Sequence, residues 1–185
     1  PKGFWALMAT QFQGAFNDNV YQWVITFYLL ALLQPSGPGT DSSLFFGKFS
    51  ADTFVPAFAT FLFSLPFIIF PALFGALADR FSKQRVAVAA KWLEIFIMLA
   101  GGIAFLLGWT PLIWFLLFMM ATQSALFGPA KYGILPEILP AERLSWGNGV
   151  IQMGTMLAII MGTGLAGPLF LLTKGKVYLV SVLLV

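Results

Sequence analysis

The chain has 185 residues, 59% of them hydrophobic and 9% charged, with a mean hydropathy of +0.90. Soluble domains carry about 25% charged residues, so this composition excludes an ordinary soluble domain and predicts an all-α, multi-pass membrane protein. Cys and His are both absent and the net charge is +3, which removes disulfides, thiolate or imidazole chemistry and the usual zinc sites from these residues and weakens enzyme readings.

The basic residues are scattered between apolar runs, where they read as topology signals and not as a nucleic-acid surface. No cofactor and no metal are expected. The chain begins at Pro1 without Met and stops at Val185 inside an apolar run, so we expect a piece of a longer protein.

The first predicted span is Phe4 to Leu33. At about 1.5 Å per residue it crosses a bilayer with length to spare, and it carries Asn17-Asp18-Asn19 near mid-membrane. At the helical period Gln11, Ala15, Asp18, Gln22 and Thr26 share one face, widened by Gln13, Asn17 and Asn19. Ionisable groups inside membranes mark pathways, so this face predicts a polar, substrate-filled cavity; hydrogen bonding between neighbouring helices would be the structural alternative.

A loop is expected from Gln34-Pro35-Ser36-Gly37-Pro38-Gly39 to about Thr53, interrupted by Asp41, Lys48 and Asp52. The second span, Phe54 to Ala78, contains Pro56, Pro66 and Pro71 and predicts a kinked helix. Asp79 to Arg85 is a tight polar connection. The third span, Val86 to Leu107, has Lys91 and Glu94 three residues apart near its start, read here as an interfacial ion pair with a snorkelling lysine stem.

Gly108 to Pro111 is a turn, and the fourth span runs from Leu112 to about Phe127, with Gln123 and Ser124 near its end. A longer connection follows through Gly128-Pro129-Ala130-Lys131-Tyr132-Gly133 and Pro136-Glu137, with a short helix starting at Pro140. The fifth span is about Trp146 to Leu172, Thr173 to Lys176 turns the chain, and an incomplete sixth begins at Val177. With the N-terminus inside, Lys2, Arg80, Lys83, Arg85, Lys131 and Arg143 fall on the inner side against Lys48, Lys174 and Lys176 outside, which favours a cytoplasmic N-terminus.

The string Gly162-Thr163-Gly164-Leu165-Ala166-Gly167 matches a dinucleotide fingerprint, but it lies deep in an apolar span with no strand before it. Gly154, Ala158, Gly162 and Ala166 recur every four residues, which instead predicts a small-residue groove that another helix backbone approaches closely.

Gly75-Ala76-Leu77-Ala78-Asp79-Arg80-Phe81-Ser82-Lys83-Gln84-Arg85 resembles the loop between helices two and three of the major facilitator superfamily, approximately G-x-L-A-D-R-x-G-R/K-R/K, with Ser82 and Gln84 as departures. In that reading the loop is a latch between the two halves: Gly75 permits close helix contact, Asp79 meets a helix N-terminus or a basic partner, and Arg80, Lys83 and Arg85 hold the loop at the cytoplasmic surface.

Two further stretches, Phe12 to Asn19 and Gly128 to Glu137 with Asn148-Gly149, resemble the bacterial lysophospholipid transporter family. The resemblance implies the N-terminal six-helix half of a twelve-helix facilitator in a bacterial inner membrane, with the C-terminal half lying beyond these residues. It implies movement of a lysophospholipid, such as lysophosphatidylethanolamine, across that membrane for reacylation, by acyltransferase and acyl-carrier-protein synthetase domains that some relatives carry fused. Asp18 would then meet an ammonium, Asn17, Asn19 and Gln22 the glycerol hydroxyl, and Lys131 the phosphate, with Gln11 and Gln123 also in the substrate site. A proton-coupled facilitator of a water-soluble solute, or a membrane half of a lipid-remodelling enzyme, would fit the residues as alternatives.

Overall fold

The structure, a computed structural model, describes residues 2–33, 51–173 and 176–184. Of the loop expected from Gln34 to about Thr53, residues 34–50, with Asp41 and Lys48, lie outside the described residues, as does the Lys174-Gly175 part of the later turn, whereas Asp52 and Thr53 are already helical. All described elements are helical: α1 (Lys2–Leu33), α2 (Ala51–Ile69), α3 (Pro71–Arg80), α4 (Lys83–Leu107), α5 (Thr110–Ile138), α6 (Leu144–Leu172) and α7 (Tyr178–Leu183), with a 3-10 turn at Ala141–Arg143.

Among the described residues α2, α4, α5 and the stretch Ala141–Leu172 containing α6 are long and apolar enough to cross a membrane. At 32 residues α1 has the length, but its polar middle sets it apart from those four in composition.

The second expected span is divided. Pro71 has no N–H to give to the carbonyl of Phe67, so the helix stops at Phe70, whose own N–H still closes on Pro66 O at 3.0 Å, and α3 restarts behind it. The expected kink is therefore a break between two helices. Because α3 runs on to Arg80, Asp79 and Arg80 are helical, and the predicted connection of Asp79 to Arg85 shrinks to Phe81 and Ser82.

After α4 the chain turns at Gly108, with φ of 62° in the left-handed region; its N–H bonds Phe105 O and the N–H of Trp109 bonds Ala104 O. The fourth span departs most from expectation. The stretch Gly128 to Glu137 continues α5 without interruption, although Pro129 and Pro136 each remove a helical donor. Ala130, Lys131, Ile134 and Leu135 are buried along this extension, so packing holds it in the helix. The helix ends at Leu139, whose extended backbone (φ −123°, ψ 141°) is what a residue before proline prefers. Lys131, counted above among the loop charges, therefore belongs to a buried helix face and drops out of the orientation argument.

The most extensive packing is between α1 and α6, followed by α4 on α5; α1 also touches α2 and α5, and α7 lies on α4. The small-residue groove of α6 is present, and α1 fills it. Gly154, Ala158, Gly162 and Ala166 are all buried, and a Cβ on Gly162 would stand 2.8 Å from the carbonyl oxygen of Phe16 and 3.0 Å from Asn19 Cβ.

Two apolar clusters flank the middle of α1. One gathers around Phe4 and Leu7 with Ile134, Leu135 and Ile151; the other surrounds Val20, Tyr21, Val24, Ile25 and Leu29. Residues 10–19 of α1 lie between them along the helix, so the polar side chains are concentrated between two apolar seals.

Candidate functional site

A cavity of about 360 Å³ opens among α1, α2, α4, α5 and α6, at the lower end of the range of about 300–1,000 Å³ usual for small-molecule sites. The helix period of α1 turns Gln11, Asp18 and Asn19 toward it, as its polar face predicts. Gln123 and Lys131 reach it from α5, eight residues and so about two turns apart. Phe63 and Phe67 of α2 and Phe127 of α5 supply an apolar wall. Of the seven predicted substrate residues, Gln11, Asp18, Asn19, Gln123 and Lys131 thus come together.

Asn17 and Gln22 do not join them. Asn17 is buried and its Nδ2 donates to Glu94 Oε1 at 2.9 Å and to the Leu184 carbonyl at 3.0 Å. Adjacent residues on a helix point about 100° apart, so Asn17 faces α4 and α7 while Asp18 faces the cavity. Gln22 lies one turn beyond Asp18 and approaches Thr60 Oγ1 at 3.5 Å. The structural alternative for the polar cluster therefore holds for Asn17.

Asp18 is buried, accepts a bond from Ser124 Oγ, and lies 3.5 Å from Gln123 Nε2. Asn19 donates back to Ala15 O at 2.8 Å, leaving its amide oxygen for the cavity. Gln11 is held by Thr155 Oγ1 at 3.0 Å. Lys131 is buried, forms no salt bridge among the described residues, and holds its Nζ 4.6 Å from the centre of the Tyr132 ring.

Sequence reasoning left six polar lining residues out of the site: Lys91, Glu94, Ser124 and Thr155, with Thr10 and Tyr132. The first two pair as expected, Lys91 Nζ to Glu94 Oε2 at 2.6 Å, but the pair is turned inward, not out toward an interface. Glu94 is buried and both residues line the cavity. The general cost of an ionisable group inside an apolar span was the available signal for them; for Thr155, it was its place beside Gly154 on the face that meets α1. The lining thus carries two carboxylates and two ammonium groups, a set suited to a zwitterion. Among the described residues no cluster of three Asp, Glu, His or Cys side chains could hold a metal ion.

The predicted latch residues sit away from the cavity. Asp79 and Arg80 are exposed and make no salt bridge among the described residues. A Cβ on Gly75 would meet nothing within 4 Å, so the close helix contact expected there is not made in this bundle. Lys83 has a different partner from the one expected of a surface anchor: its stem crosses Gly133 of α5, and its Nζ meets Glu137 Oε1 at 2.8 Å.

No family model and no solved structure matches the chain. Curated proteins do. A protein of Cronobacter sakazakii named lysophospholipid transporter LplT is 31% identical over 169 residues, 91% of this chain and 36% of its own length. Proteins of the same name from Salmonella paratyphi B and Salmonella newport are 32% identical over 168 residues, again 91% of this chain and 36% of theirs. The chain spans about a third of the length of these relatives. Together with its long apolar helices, this likeness identifies an all-α, multi-pass membrane protein whose sequence is related, over nine-tenths of its length, to the lysophospholipid transporters.

Proposed function

We propose that the chain is the N-terminal half of a major facilitator that moves a lysophospholipid across a bacterial inner membrane, with its N-terminus cytoplasmic. The observation that carries this reading is the pairing of an anionic and a cationic end in one cavity, Asp18 at the middle of α1 and Lys131 two turns beyond Gln123 on α5. A zwitterionic headgroup places its ammonium toward Asp18 and its phosphate toward Lys131, while Gln11 and Asn19 serve the glycerol hydroxyl. Asn17 and Gln22, already engaged elsewhere, do not take that role. The acyl chain lies along Phe63, Phe67 and Phe127. The six-helix C-terminal half closes the cavity from the other side, and an acyltransferase, fused or separate, consumes the delivered lysolipid.

The test is uptake of labelled lysophosphatidylethanolamine by the full-length protein in vesicles. Lys131→Met is expected to lower it about tenfold, the worth of one charge-assisted contact to phosphate. Wild-type vesicles no faster than protein-free vesicles would overturn the reading.

In the same scheme Asp79 and Arg80 reach across to the C-terminal half, which accords with their exposure here. Asp79→Asn is expected to slow transport severalfold with membrane insertion unchanged, measured as turnover per inserted molecule; an unchanged turnover would remove the latch.

A further inference from the structure

The Lys91–Glu94 pair lines two cavities. Besides the main one, a second space of about 180 Å³ is lined by Lys91, Glu94, Thr10, Gln13, Met98 and Leu184. Glu94 is held from two directions, by Lys91 on Oε2 and by the Asn17 amide on Oε1, so its carboxylate is fixed in place. Lys91 is held less completely. Its ammonium has Glu94 as its one salt-bridge partner among the described residues, its side chain is about a quarter exposed, and the ammonium nestles against Gly14, where a Cβ would come within 3.3 Å of Nζ. Gly14 is one turn before Asp18 on α1, and Gly14, Lys91, Glu94 and Asp18 all line the main cavity. A primary ammonium on a flexible stem therefore sits beside one carboxylate, Glu94, and in the same cavity as the other, Asp18.

We propose that Lys91 is a tethered competitor for the substrate's ammonium and so a specificity-determining residue: by neutralising Glu94 it restrains the preference of the cavity for headgroups that carry an amine. This rests on the lysophospholipid reading above. The chemistry is one of matched groups. A lysine ammonium and an ethanolamine ammonium have the same charge and the same three donors, so whichever is present can satisfy the same carboxylate. With Lys91 in place the cavity offers the substrate amine one uncompensated carboxylate, Asp18. Without it, Glu94 becomes a second. With Glu94 removed instead, the released lysine faces Asp18 and competes there, which favours headgroups that have no amine.

The experiment compares uptake of lysophosphatidylethanolamine and lysophosphatidylglycerol by the full-length protein in vesicles, as a ratio. Lys91→Met is expected to raise the ethanolamine-to-glycerol ratio about tenfold, and Glu94→Gln to lower it by a similar factor. The double variant, which removes both charges, is expected to return near the wild-type ratio. Lys91→Met leaves a buried carboxylate without its partner and is the variant at risk of misfolding; Glu94→Gln and the double variant then carry the test. Opposite shifts with recovery in the double variant support the proposal, because a structural pair would lower both lipids alike. Transport that persists with an unaltered ratio, or that falls equally for both lipids, overturns it while leaving the transporter reading in place. Failure of the wild type to move either lipid overturns both.

Discussion

Asp18→Asn is expected to reduce transport of lysophosphatidylethanolamine tenfold or more, and that of an amine-free headgroup much less. The substitution keeps the size and the oxygen that accepts from Ser124, so local packing is retained and the charge is what changes. Desolvated charge-assisted bonds are worth about 1.5–3 kcal/mol, which is the origin of the factor. Uptake assays on the two lipids side by side make the distinction. A uniform loss of accumulation with downhill exchange intact would assign Asp18 to a coupling proton. Near wild-type transport of every headgroup would leave it the role of tying α1 to α5 through Ser124 and Gln123.

Gly162→Leu is expected to abolish recovery of folded protein, and Gly162→Ala to destabilise it by about 1–3 kcal/mol. The neighbours that a new Cβ meets are the Phe16 carbonyl, Asn19 Cβ and the Val20 amide, at 2.8, 3.0 and 3.4 Å. Two of these are backbone atoms of a helix and cannot rotate aside, so α1 as a whole must move from α6. Without a hydrophobic force between helices in lipid, such close packing is a main source of association. Gly164→Ala is the matched control, since a Cβ there meets nothing within 4 Å. Melting in detergent, followed by fluorescence-detected size exclusion, reads the difference. An alanine variant at 162 as stable as the one at 164 would refute the close-contact account.

The groove around Gly162 was legible in the sequence because a four-residue repeat of small side chains has one geometric meaning on a helix. The partner that fills it was not, since nothing in that repeat names α1. Asp18 was legible for a similar reason: a carboxylate in an apolar run has few explanations. Its neighbours Asn17 and Asn19 look alike as residues, yet one is spent on Glu94 and Leu184 and the other lines the cavity, a difference of rotation that the crowded polar face concealed.

The i, i+3 spacing of Lys91 and Glu94 announced a pair but not the side of α4 it would face. At Gly128-Pro129 local signals for a turn were overridden by burial of Ala130, Ile134 and Leu135, and with that extension Lys131 moved from a loop to the wall of the site.

The break at Phe70 separates two parts of the molecule with different surroundings. On one side α2 brings Phe63 and Phe67 to the cavity; on the other α3 carries Asp79 and Arg80 at its far end. Because Pro71 contributes no N–H, the bond that would stiffen this junction was never there to be broken. The junction is thus held by one backbone bond fewer than a continuous helix would have, with the Phe70, Phe74 and Phe118 rings packed at it. In mechanical terms the wall of the cavity and the exposed end that carries Arg80 are two separate rods, and the three rings are the joint between them.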